Sequence, residues 1–99
     1  METLLAATTS AAQSDEVAVR GAKSPYTFQC APPLAGTEVG QVQFKGGNGT
    51  WYDLQLDGSD VKMTASHRMV TLFGPGVFRI DKDATAGATG VFGQYENDM

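Results

Sequence analysis

Gly46-Gly47-Asn48-Gly49-Thr50-Trp51-Tyr52-Asp53-Leu54 reads as a tight turn that opens directly into a strand led by aromatic residues. Glycine and asparagine tolerate the positive φ angles that short β turns demand, so the turn predicts a hairpin. The run after it predicts a strand over 50–56, with Tyr52, Leu54 and Leu56 on one face and Trp51 and Asp53 on the other. Trp51 then either covers the rim of the core or projects outward. A second stretch, Phe73-Gly74-Pro75-Gly76-Val77-Phe78-Arg79-Ile80, repeats the arrangement, a sharp turn followed by a strand with Phe78 and Ile80 on one side.

Outward from these two turns the same grammar continues. Val17 and Val19 alternate before a turn over 21–25, and Tyr26, Phe28 and Cys30 alternate after it. Pro32 and Pro33 lack amide hydrogens and stop that strand, leaving a loop to Thr37. Val42 and Phe44 face inward in the next strand, over 38–45. Asp57-Gly58-Ser59-Asp60 forms another tight turn, Val61, Met63, Val70 and Leu72 carry the pattern across a polar kink at 64–68, and the last strand covers 90–96. No helix-period stretch longer than about two turns follows Asp15, and about seven or eight short strands at intervals of about ten residues predict a small antiparallel β-sandwich or jelly-roll-like barrel.

Residues 1–14 differ in composition. The small, polar Thr8–Ser14 run reads as a flexible arm or an edge element rather than a core strand, with a short amphipathic helix conceivable over 2–7. The predicted organisation is an N-terminal arm over 1–14 and one domain over 15–99. Ninety-nine residues suffice for a single core. Burial at this length is modest, so assembly with other copies is a natural source of further stability.

With a net charge of −4, and seven Lys and Arg that are scattered rather than clustered, the chain lacks the basic face of a nucleic-acid binder. The opening Met1-Glu2-Thr3-Leu4-Leu5-Ala6-Ala7 has neither the basic start nor the apolar centre of a signal peptide, and no apolar run approaches the ~20 residues of a membrane span. The sequence-based expectation is a soluble chain made in the cytoplasm. Its single cysteine, Cys30, sits in an alternating apolar run and reads as a core residue.

Catalytic and metal chemistry find little footing. His67 is the one histidine, so any Ser-His-Asp or Cys-His arrangement would pass through it with Asp57, Asp60 or Cys30. Flanked by Ser66 and Arg68, it reads as a solvated surface residue. One His and one Cys do not complete a zinc shell. The Asp57/Asp60 and Asp81/Asp83 pairs lack the spacing of a calcium loop, and the aspartates of Asp57-Gly58-Ser59-Asp60 read as turn-capping groups. No metal or cofactor is expected. The glycines at 46, 47 and 49 precede no helix and no Lys-Ser or Lys-Thr pair, so they are turn glycines rather than a phosphate cradle. Asn48-Gly49-Thr50 spells a glycosylation sequon by chance. Trp51 and Tyr95 are the residues from which a stacking platform for sugars could be built, with core or rim packing the plainer reading.

The hairpin over 46–54 resembles the "glycine-rich turn, Thr/Asn-Trp, two residues, Leu" hairpin of small virion domains of tailed bacteriophages, found in capsid decoration, head-fibre and tail proteins. Gly76-Val77-Phe78-Arg79-Ile80 is similar to their "Gly, aromatic, Arg, aliphatic" strand. The run 84–91 is like their Gly/Thr-rich loop into a last strand, and Thr3-Leu4-Leu5 through Val17-Ala18-Val19 resembles their opening segment. The Pro32-Pro33 loop and Pro75 depart from the pattern. The resemblance implies a non-enzymatic phage structural protein, a capsid decoration or cement protein on the outside of the head shell. It would be a homo-oligomer, a trimer by analogy, with the major capsid protein or other virion proteins as partners. A carbohydrate-binding or host-adhesion module of a tail or head fibre is the alternative. The interaction residues expected on this reading are Thr3, Leu4, Leu5, Pro33, Gly47, Trp51 and Pro75, and deletion of 1–14 is expected to leave the β fold intact.

Overall fold

A computed structural model describes residues 1–21 and 23–96. Ala22, inside the predicted turn over 21–25, and 97–99, at the end of the predicted domain, lie outside the described residues. Among the described residues there is no helix; the chain forms twelve strands, β1 (Glu2–Thr8), β2 (Ala12–Gln13), β3 (Val17–Val19), β4 (Tyr26–Ala31), β5 (Gly40–Lys45), β6 (Trp51–Asp53), β7 (Gln55–Leu56), β8 (Ser59–Asp60), β9 (Lys62–Met63), β10 (Met69–Leu72), β11 (Gly76–Lys82) and β12 (Thr89–Tyr95). Their pairing is antiparallel. One sheet runs β1-β12-β4-β10; the other runs β2-β11-β5-β6, with β3 also on β11 and β9 also on β5.

The alternation in the sequence becomes the two inner faces of a sandwich. Tyr26, Phe28, Cys30, Leu72 and Val91 come from the first sheet, and Val17, Val19, Val42, Met63, Phe78 and Ile80 from the second. Their burial is the main favourable term in folding, and their side chains interdigitate as two facing sheets require. Leu34, from the proline loop, is buried with them.

Register sorts the main loops between two opposite ends of the sandwich. β5 and β6 pair Lys45 with Trp51, β11 and β3 pair Gly76 with Val19, and β10 and β4 pair Leu72 with Tyr26. The turns over 46–50 and 73–75 therefore share one end of the sandwich. The Pro32-Pro33 loop leaves β4 at Ala31 and enters β5 at Gly40, opposite Gly90 and Lys82 respectively, so it occupies the other end together with the loop over 83–88.

Three sequence expectations change. Of the two readings for the segment before Asp15, the structure shows the edge element rather than a flexible arm, and a strand rather than a short helix. β1 pairs along β12 from Glu2 to Thr8, and its Leu4 is 6% exposed. Alanines and threonines suffice for an edge strand because only one flank needs hydrogen-bond partners. The strand expected over 50–56 breaks at Leu54, where the Leu54 amide donates to Val42 O at 2.8 Å and the Val61 amide to Leu54 O at 2.8 Å. Those bonds close the base of a projecting β7–β8 hairpin. Leu56 on that hairpin is consequently 63% exposed instead of facing the core. At the hairpin tip Asp57 and Gly58 both have positive φ, 52° and 80°, as a two-residue turn of the primed type requires.

Candidate interaction face

The end of the sandwich that carries the 46–50 turn also carries aromatic and cationic side chains held by specific contacts. The turn is held by Gly46 N–H to Thr50 O at 2.8 Å and by Gly49 N–H to Gly46 O at 2.9 Å. Asn48 adds two side-chain bonds, accepting from the Thr50 amide at 3.0 Å and donating from Nδ2 to the Tyr52 hydroxyl at 3.0 Å. A Cβ on Gly46 would lie 2.7 Å from the Tyr52 ring that covers it, so a larger residue there would displace the ring. Tyr52 also meets Phe44 at 5.6 Å between ring centroids. An exposed tyrosine is thereby held in one orientation.

Trp51 emerges from the same turn on the outer side of the second sheet. Its ring lies 4.3 Å from the Arg79 guanidinium carbon and 6.0 Å from Lys45 Nζ, within the range of cation–π attraction. Arg79 Nε donates to Gln43 Oε1 at 2.9 Å, and Gln43 Nε2 donates to Asp53 Oδ1 at 3.0 Å. Three strands thus hold one polar row beside the indole. Glu16 approaches Lys45 at 3.9 Å, a solvent-exposed pair of little energetic weight. Around the corner, Phe44, Leu54, Pro75, Val77 and Phe78 line a shallow recess of about 250 Å³ where the rim of the core opens.

The residues expected to dock do not form one surface. Gly47, Trp51 and Pro75 share this end, whereas Pro33 is exposed at the opposite end. Thr3 is exposed on β1, Leu5 packs partly against the core, and Leu4 is buried within it, so the Leu4 side chain is unavailable to a partner. Sequence reasoning missed Tyr52 and Arg79. Tyr52 has the inward parity of Phe44, its cross-strand partner, but it lies so near the strand end that it remains 43% exposed. Arg79 could have been found from parity, since it pairs with Gln43, two residues from Lys45 on the same strand.

The other candidate groups are more ordinary. His67 is exposed and bridges to Thr64 through the backbone. Asp60 Oδ1 accepts from Gln55 Nε2 at 3.0 Å, and Asp81 Oδ1 from Gln13 Nε2 at 3.0 Å. Asp83 Oδ2 accepts from the Val39 amide at 3.0 Å. Tyr95 is half-buried edge-on against Tyr26, 4.8 Å between centroids, and its hydroxyl donates to Ala18 O at 2.7 Å. At the Pro33 end, Glu38 accepts from the Ala35 and Ala86 amides, each at 2.9 Å, and those bonds, Ala86 first, hold its carboxyl below the usual range. Lys82 is buried beneath, with Nζ donating to Asp83 O at 2.8 Å and Thr85 Oγ1 at 3.2 Å. These contacts tie the two loops of that end together.

No protein-family model, no curated protein and no solved structure matches the chain.

Proposed function

We propose that this protein is a non-enzymatic structural component of a tailed-phage particle, a capsid decoration or cement protein that binds the outside of the head shell. The observation that carries the reading is that one end of the sandwich presents Trp51 stacked on Arg79 on the outer face and Tyr52, fixed by Asn48, on the opposite face of the same strand, with the recess under Pro75 beside it. Trp, Tyr and Arg dominate binding energy where two proteins meet, because each buries much surface and makes directed polar contacts. Their orientations are already set, so a partner orders few side chains on binding. The likeness of the 46–54 hairpin to phage virion hairpins supplies the partner class, the major capsid protein or its neighbours in the shell. Virion localisation follows from that reading.

Co-sedimentation with phage heads stripped of accessory proteins tests it. The wild-type chain is expected to pellet with the heads, and Trp51→Ala/Tyr52→Ala to bind at least tenfold more weakly with its β circular dichroism unchanged. A wild-type chain that stays in the supernatant would overturn the reading.

A second reading has its own support. Trp51 with Arg79, Gln43 and Asp53 places hydrogen-bonding groups beside an indole, the combination a sugar-binding module uses. On that reading the fluorescence of Trp51 changes on titration with host surface glycans and heads are ignored.

A further inference from the structure

A sheet edge is a row of unpaired amides and carbonyls, and folded β proteins blunt such edges with bulges, short strands, prolines or charges. Three of the four edges in this sandwich are blunted in these ways. β1 departs twice from regular register, between Thr3 and Leu5 and between Leu5 and Thr8. On the flank of β11 the edge is divided between β2 and β3, of two and three residues. On the flank of β5 it is divided between β6 and β9, with the β7–β8 hairpin projecting between them.

The fourth edge, β10, is short at four residues and begins beside Arg68, but it carries neither bulge nor proline. β10 pairs with β4 over Met69, Val70, Thr71 and Leu72 without a register shift, and among the described residues no strand pairs with its other flank. The segment 67–74 contains no proline and no acidic residue, in a chain with eleven Asp and Glu. Its outward row exposes two large apolar side chains, Met69 at 47% and Phe73 at 57%. A recess of about 310 Å³ lined by Asp60, Val61, Lys62, Thr64, His67 and Val70 opens between this edge and β9.

We infer that this edge pairs with β10 of a second copy of the same chain, antiparallel about a two-fold axis at Thr71, joining the two four-stranded sheets into one. The pairing is self-complementary. With Thr71 opposite itself, Met69 stands opposite the second copy's Phe73 and Val70 opposite its Leu72, so each exposed apolar residue is covered by the other. Thr–Thr and apolar cross-strand pairs are favourable. The charged residue of the segment, Arg68, faces Gly74, so no like charges are opposed across the paired strands. An isologous interface of this kind closes at two copies. It supplies the oligomer of the proposed virion role with its interface, and departs from the trimer expected by analogy; it rests on that role for nothing else.

Light scattering on the isolated full chain, without heads, tests it separately from particle binding. The expected mass is twice 10.5 kDa. Val70→Lys puts an inward-pointing charge on the edge and is expected to weaken dimerisation more than tenfold, with circular dichroism confirming the fold. Met69→Lys, at an exposed position, is expected to weaken it in the same direction. Thr71→Cys is expected to form a disulfide-linked dimer under mild copper-catalysed oxidation, which the wild-type chain does not, because Cys30 is buried. A wild-type mass of one or three chains, a folded Val70→Lys that still dimerises, or a Thr71→Cys that stays uncrosslinked would each overturn the inference.

Discussion

Gly93 and Tyr26 share one space in the core. The two sit on neighbouring strands, and a Cβ added to Gly93 would lie 2.6 Å from the Tyr26 hydroxyl oxygen and would strike the ring itself. The ring crosses beneath β12 from β4 to reach β1, where its hydroxyl donates to Glu2 Oε1 at 2.7 Å. Burial, then that hydrogen bond, holds the phenol well above its ordinary pKa, so it remains the donor. Three strands are joined by one side chain that depends on a missing one.

Gly93→Ala is therefore expected to destabilise the fold by about 2 kcal/mol, the usual cost of overpacking a filled core. Urea denaturation of the single variant and of Gly93→Ala/Tyr26→Leu checks the cause. In the Tyr26→Leu background the alanine is expected to cost less than about 0.5 kcal/mol, since the two positions are coupled through contact. Equal costs in both backgrounds would show that the ring is not what Gly93 accommodates.

Deletion of residues 1–14 is expected to unfold or severely destabilise the domain, contrary to the reading of this segment as a free arm. It removes β1 with Leu4, and it removes Ser14, whose buried hydroxyl accepts from the Ile80 amide at 2.9 Å while its own amide donates to Ile80 O at 2.8 Å. Thermal melting followed by circular dichroism measures this. A truncated chain with an unchanged melting temperature would show that the edge strand is dispensable.

Two turn glycines that look alike in the sequence are expected to behave differently. Gly58 has a φ of +80° with open space around it, so Gly58→Ala is strained by backbone conformation alone and is expected to cost about 1 kcal/mol. Gly47 also has open space but no such φ, and Gly47→Ala is expected to lie within about 0.5 kcal/mol of wild type. Chemical denaturation of the pair decides it, and equal effects would contradict the turn geometry.

Burial pushes the Cys30 thiol up from 9.0 to about 11, with nearby Lys82 pulling weakly the other way. The folded state therefore keeps a proton that the unfolded chain releases first. Stability linked to this group is complete below about pH 9 and is lost as pH rises towards about 11. Denaturation midpoints measured from pH 8 to 11 should fall over that window, and Cys30→Ala should flatten the fall. At pH 8 the native thiol should resist an aromatic disulfide reagent that labels it promptly in denaturant.

Periodicity and turn chemistry were enough to determine the class of fold. Val17/Val19, Tyr26/Phe28/Cys30 and Phe78/Ile80 alternate because each strand buries one face, and that requirement is local to the strand. The turns at 46–50, 57–58 and 73–76 were legible for the same reason, since positive φ angles favour glycine, and at 57 an aspartate, over other residues. Which ends and edges meet was not legible. Pro33 parts from Gly47 and Pro75 because register, a relation between distant strands, assigns each loop to an end. Leu4 enters the core and Leu56 leaves it through hydrogen bonds made by residues far away in the chain, Leu4 O with the Asp15 amide and Leu54 with Val42 and Val61. The Trp51–Arg79 contact spans three strands, so neither residue announces the other in sequence. Local patterns thus decided what the strands are, and the long-range pairing of the two sheets alone decided which surfaces they leave open to a partner.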